Sequence, residues 1–234
     1  MAAQFYDSLV PTDAYDEVKL CAVLAAGWLS IYLLSRHVLF RQFSADFSNR
    51  IVSLIHAAIG LVWPLFVIDF KNLSSDVGNP TTPAQLDLLR VSFAYFFYDM
   101  LCCFAIKIEI ADVFHHVATL VGLYVGVFHK VSGHELLLCL TLMEASNPFM
   151  HMRSIFRETG MAKSAMASNN DLFFALSFLV CRGILGPVVV YWTILSPRTP
   201  LVVKAGGFAI QLVSLFWMSK IISVILKKLS KKAV

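Results

Sequence analysis

Charge is scarce in this chain: of its 234 residues only 15% are Asp, Glu, Lys or Arg, against about 25% in a soluble domain. That scarcity excludes an ordinary solvated surface. Five cysteines, Cys21, Cys102, Cys103, Cys139 and Cys181, form no C-x-x-C pair and all lie in apolar stretches. A disulfide framework or a cysteine-rich zinc module is thereby excluded, and the thiols read as small hydrophobes. Histidine occurs seven times but builds no H-x-x-H box, so no metal or other cofactor is expected. The first apolar run is preceded by no basic region and no small-residue cleavage site. Asp7, Asp13, Asp16 and Glu17 stand there instead, so the first helix reads as an uncleaved anchor. Internal repeats, low-complexity tracts and room for a soluble domain are lacking too.

What is present is hydrocarbon-like. The composition is 58% hydrophobic and the mean hydropathy is +0.73. Seven stretches approach the roughly 20 apolar residues that cross a bilayer: Leu20–Phe40, Ile51–Phe70, Leu88–Ile106, Val113–Val131, Glu135–Met150, Leu172–Leu195 and Leu201–Leu226. The fifth is short and polar. The expected fold is all-α, a polytopic membrane bundle of about seven transmembrane helices. Residues 1–49 form an outer N-terminus and anchor, 50–226 a six-helix domain, and 227–234 a basic tail.

The cations sort by side. With the N-terminus outside, the inner segments carry Arg36, Arg41, Arg50, Lys107, Arg153, Arg157, Lys163, Lys220, Lys227, Lys228, Lys231 and Lys232. The outer ones carry Lys19, Lys71, Lys130, Arg198 and Lys204. Positive charge gathers on the cytosolic side of membrane proteins, which predicts a lumenal N-terminus and a cytosolic C-terminus. The net charge of +4 is then a topology signal and implies no nucleic-acid partner.

Against this background the ionisable groups inside the spans stand out: His56, Asp99, His115, His116, Glu144, His151 and Arg182, with Asn147 among them. Such groups are expensive in hydrocarbon and face a polar cavity or a partner. At 1.5 Å per residue, Asp99 and Glu144 lie about 12 Å from the inner surface and His56 about 9 Å. Five helices contribute, which predicts a polar pocket in the cytosolic half. Glu144, Asn147 and His151 share one helical face, as do Ser92, Tyr95 and Asp99, and as do His115, Thr119, Gly122 and Gly126. His115 and His116 diverge by about 100°, so one should face the pocket and the other a neighbouring helix. Two spans carry prolines, in Ser146-Asn147-Pro148 and Gly183-Ile-Leu-Gly186-Pro187, where bends are expected.

General acid–base or nucleophilic chemistry suits these groups. His115, His116 and Glu144 are the catalytic candidates, and His56, Asp99, Asn147, His151 and Arg182 the ligand-binding ones. Asp99 or Glu144 could orient a histidine, and Arg182 could hold a carboxylate ionised. The same groups would also serve as buried polar pairs that fix helix register, or as the lining of a non-catalytic receptor.

The run Asp112-Val-Phe-His115-His116-Val-Ala-Thr119-Leu resembles the signature of the TRAM–LAG1–CLN8, or TLC, domain. Asn49-Arg50-Ile-Val-Ser53-Leu-Ile-His56, Tyr95-Phe-Phe-Tyr-Asp99, Glu144-Ala-Ser146-Asn147-Pro148-Phe, Arg153–Gly160 and Ser196–Gly207 agree with a narrower group of that family. The resemblance covers Arg50 to about Met218. It implies a multi-pass membrane protein of lipid homeostasis whose partners are membrane lipids. Among its members, ceramide synthases join an acyl-CoA to a sphingoid amine using a double histidine and two aspartates. The histidines match His115 and His116, and the aspartate positions align with Glu144 and Asn147. Met143 stands where those enzymes have a histidine. Other members tune phospholipid composition or act as cargo receptors. The expected function is thus binding of a lipid or acyl group, with acyl transfer from acyl-CoA as the reaction. The alternative is a non-catalytic lipid-binding or cargo-receptor protein. A homo-oligomer is left open. The ending Lys231-Lys232-Ala-Val resembles a dilysine retrieval signal and, with the family, points to the endoplasmic reticulum.

Overall fold

The computed structural model describes residues 13–106 and 108–230. The acidic start at Asp7, Lys107 and the Lys231-Lys232 signal lie outside the described residues. Helices joined by loops make up the described chain. Helix α1 (Ala14–Leu34) begins at Asp13, whose side chain accepts from the Asp16 amide, and runs on as a π-helical turn, Ser35–Leu39. Helix α2 (Ala45–Val62) is capped by Ser44, and a further turn, α3 (Pro64–Val67), extends it. Then come α4 (Pro83–Ile106) and α5 (Ile110–Phe128). Helices α6 (Gly133–Glu144) and α7 (Asn147–Glu158) follow. The rest is α8 (Ala165–Phe178), a π-helical segment (Leu179–Leu185), α9 (Gly186–Leu195) and α10 (Leu201–Ser230). Among the described residues there is no strand, only an antiparallel bridge between Pro80 and Val131.

Six of these units are long and apolar enough to cross a membrane: Ala14–Leu39, Ala45–Val67, Pro83–Ile106, Ile110–Phe128, Ala165–Leu195 and Leu201–Leu226. The stretch expected as the fifth span, Glu135–Met150, is divided between α6 and α7. Proline at the second position of α7 has no N–H to continue the ladder, and the chain breaks at Ala145-Ser146. The pair still runs the length of the bundle. At its start the Glu135 carboxylate accepts from the Gly78 amide at 3.0 and 3.1 Å and from the Thr199 hydroxyl at 3.1 Å. At its end Glu158 accepts from the Ser44 amide and hydroxyl. Those partners are loops at opposite ends of α2, so the broken pair supplies the seventh crossing. The second proline site is milder. The π segment Leu179–Leu185 precedes Pro187, and the two halves remain one rod.

Helix α4 is the axis of the bundle and packs on α1, α2, α5 and α6. Its buried side chains include Leu88, Leu89, Ser92, Tyr95, Phe96 and Tyr98. Large apolar residues of the outer helices, such as Val23, Tyr191 and Leu212, point outward, as they must when lipid tails are the solvent. Both ends are tied by polar contacts. At one end Arg90 donates through Nε to Glu17 at 2.9 Å and through Nη1 to Asp87 at 2.9 Å. Gly78, at φ +81°, packs so closely that a Cβ would lie 2.7–2.8 Å from Ser196, Arg198 and Thr199. At the other end Asp46 accepts from Arg50 at 2.9 Å and from Ser154 at 3.2 Å.

Gly60 on α2 lets α6 approach. A Cβ there would lie 2.8 Å from Cγ of Glu144, a fully packed side chain that cannot swing away. Gly60→Ala should therefore cost about 1–3 kcal/mol, the usual range for overpacking. Thermal unfolding in detergent, with Gly27→Ala (open space) as control, measures it.

Candidate functional site

Two polar centres lie between the helices, in the half of the bundle away from the Glu135 contacts. The first joins α2, α4 and α5. His116 Nε2 lies 2.8 Å from Oδ2 of Asp99, and its Nδ1 lies 2.7 Å from the Asp112 carbonyl. The other oxygen of Asp99 accepts from Asn49 Nδ2 at 2.8 Å, and Asn49 in turn accepts from the Tyr98 hydroxyl at 2.7 Å. The second centre joins α2, α6, α7 and the π segment. Glu144, 2% exposed, accepts from Asn147 Nδ2 at 3.0 Å. Asn147 Oδ1 accepts from Arg182 Nη2 at 2.8 Å. Arg182 also donates to the Met143 carbonyl at 2.8 Å and to Ser146 at 3.2 Å. Its own carbonyl accepts from Gln211 of α10 at 3.0 Å. His56, wholly buried, puts Nε2 3.2 Å from Ser92 and Nδ1 3.2 Å from Oε1 of Glu144. The latter is a close approach without hydrogen-bond alignment.

Aromatic rings separate the centres. Tyr95 stacks on His56 at 3.8 Å, and Trp28 of α1 meets both edge-on. Phe96 stands edge-on to His56, His115 and His116 at 5.4, 6.4 and 6.0 Å. His151 lies 3.4 Å from Arg50, beside the Asp46 contacts.

All eight sequence candidates thus gather in one region, with different partners. Asp99 orients His116 and Glu144 faces His56, so each expected carboxylate serves a histidine. Arg182 reaches Glu144 only through Asn147. The histidine pair diverges, and both members meet a neighbouring helix, neither of them lining the cleft. His116 turns to α4, and His115 turns to α10, 5.4 Å from the Trp217 ring. Trp217 in turn lies 5.8 Å from the Arg182 guanidinium. His115 Nδ1 and Arg182 Nη1 are both buried without a hydrogen-bond partner.

These candidates pack against one another, since paired polar groups lower their desolvation cost by mutual contact. A partly open cleft with a cavity volume of about 40 Å³ lies elsewhere, between α5, α6, α9 and α10. Small or apolar residues such as Ala118, Gly122, Gly206 and Ile210 line it, and Met143 and Gln211, both in contact with Arg182, form its floor. Asn49, which is not among the sequence candidates, joins them through Asp99 and Tyr98, and the sequence carries a signal for it: Asn49, Ser53 and His56 fall at i, i+4 and i+7 of α2, one face.

The comparisons with known proteins agree with this architecture. The sequence pattern of the TLC domain, in the TRAM–LAG1–CLN8 family, matches residues 46–223. The chain belongs to the TLC-domain family. A TLC domain-containing protein 4 A of Dictyostelium discoideum is 26% identical over 199 residues, which is 80% of this chain and 76% of that protein. The TLC match begins at Asp46 and ends within α10, so it contains both polar centres and leaves α1 outside.

Glu144 and Arg182 balance one another through Asn147. Glu144→Gln leaves the guanidinium buried without its counter-charge, and breaking such a set costs about 3–5 kcal/mol. Adding Arg182→Met should recover part of that loss, so the double variant falls short of the sum of the singles. Denaturant unfolding of the four proteins in detergent measures the coupling.

Proposed function

We propose that this TLC-domain protein acts in lipid homeostasis by holding a lipid or acyl group beside His115, and that acyl transfer from acyl-CoA is its reaction. The observation that carries this reading is the division of labour in the histidine pair. Both nitrogens of His116 are engaged, by Asp99 and by the Asp112 carbonyl, whereas Nδ1 of His115 is buried and free. A free imidazole nitrogen is what a general base or an acyl-accepting nucleophile needs. One turn further along α5, Ala118 lines the small apolar cleft. The unpaired Nη1 of Arg182 is a second donor in the same neighbourhood.

A second reading, a non-catalytic lipid-binding or cargo-receptor protein, has its own support. Glu144, expected as catalytic, is sealed between His56 and Asn147 and has no evident approach for a substrate. In that reading the cleft binds and the polar centres only fix the helices. For either reading we place the protein in the endoplasmic reticulum, with a lumenal N-terminus and a cytosolic C-terminus. Support comes from the charge asymmetry, and from the course of the helices: α1 starts, and α10 ends, at opposite ends of the bundle.

Lipidomics of cells lacking the protein, rescued with wild type, His115→Ala or His116→Ala, separates the readings. Acyl transfer predicts a lipid shift that wild type reverses, with rescue by His115→Ala reduced at least tenfold at equal protein level. Full rescue by His115→Ala would leave the receptor reading. Tags at the two ends should show opposite protease access in sealed microsomes, and matching access would overturn the orientation.

A further inference from the structure

We propose that Asp99, Cys103 and His116 form a zinc site at the inner turn between α4 and α5. One ligand atom from each of the three residues lies within 4.8 Å of the others. Tetrahedral zinc, with bonds of 2.0–2.3 Å, places its ligand atoms about 3.3–3.8 Å apart. Zinc would draw the thiol of Cys103 inward and open the His116–Asp99 pair from its 2.8 Å to that spacing, both by side-chain rotation. Asp99 and Cys103 fall at i and i+4 of α4, on one face, and His116 comes from the facing helix.

The 2.8 Å approach of His116 Nε2 to Oδ2 of Asp99 is that of a proton-bridged pair, and a metal ion held by both atoms would take the place of that proton and open the pair to tetrahedral spacing. Cys103, within reach of both, supplies a third and softer ligand atom. Sulfur favours zinc over magnesium or calcium, which take oxygen.

The surroundings are those of a ligand set. Metal-bound histidine commonly gives its other N–H to a carbonyl or carboxylate, and bound carboxylates are themselves held by donors. Here the Asp112 carbonyl holds His116, and Asn49, anchored by Tyr98, holds the distal oxygen of Asp99. The nearby cation Arg50 has Asp46 as counter-charge at 2.9 Å. The side chains of His116 and Asp99 keep 9% and 14% exposure, and Cys103 is half-buried, which leaves an entry path. Three protein ligands leave a fourth position, for water or for a lipid oxygen. The sequence concealed the set, because its spacing, Asp-x-x-x-Cys followed by a histidine on the next helix, matches no common metal box.

The site stands independently of acyl transfer, and its test reads the metal itself. The full chain, purified in detergent without chelator, should retain about one zinc per molecule by elemental analysis, as a three-ligand site takes one ion. After stripping, Co²⁺ should give a thiolate-to-cobalt charge-transfer band. Cys103→Ser should abolish the band and weaken zinc at least tenfold. Cys102→Ser, which removes the neighbouring thiol, should keep both. Zinc should raise the unfolding midpoint of wild type and Cys102→Ser and leave Cys103→Ser unmoved. Wild type without retained zinc and without the band would overturn the site, whatever the variants do. A band that persists in Cys103→Ser would overturn the ligand assignment. Asp99→Asn provides a second variant should Cys103→Ser fail to fold.

Discussion

A carboxylate in the middle of a hydrocarbon slab must find its counter-charge within the protein, and much of this bundle follows from that constraint. Glu144 sits at the end of a twelve-residue helix, too short to cross alone. Its partners come from elsewhere: His56 from α2, Asn147 from α7, and Arg182, through Asn147, from the π segment. Each partner fixes one helix against α6. Gly60 removes the side chain that would keep α2 away, and Gln211 adds α10 through the Arg182 carbonyl. Helix interfaces in a bilayer gain nothing from hydrophobic exclusion, so small residues and polar contacts carry them.

The aromatic partition gives the two polar centres separate tasks. Tyr95 and Phe96 fill the space between Glu144–His56 and Asp99–His116. Charge in one centre is thereby kept from collapsing onto the other, which would leave a buried group unpaired. His115 stands outside both centres, against Trp217. Of the four histidines in this region, His116 thus has both nitrogens engaged, while His115 keeps a buried Nδ1 without a hydrogen-bond partner.

Much of this was legible in the sequence. The long apolar runs set the spans, because length and hydropathy alone decide what crosses hydrocarbon. Asn147-Pro148 announced a bend. The divergence of His115 from His116 follows from helix geometry. Which of them meets the carboxylate does not, since that depends on where α10, some hundred residues later, comes to rest. The i, i+3 spacing gave Glu144 and Asn147 a shared face, but not the bridging role of Asn147 toward Arg182. Whether the converging polar residues line a space is not legible for a related reason. Polar residues on converging faces can enclose space or fill it, and side-chain volume decides only once the backbones are placed. Tyr95, Phe96 and Trp28 fill it here.

The clamp at Glu135 has a kinetic meaning. It binds the loop at Gly78 and the loop at Thr199 to the start of α6, and the Pro80–Val131 bridge stitches the neighbouring turn. Glu135 also lines the cleft, so two loops and one wall of the cleft hang on a single carboxylate. Opening at this end must release all three in one step, which makes it rarer than the fraying of any one loop.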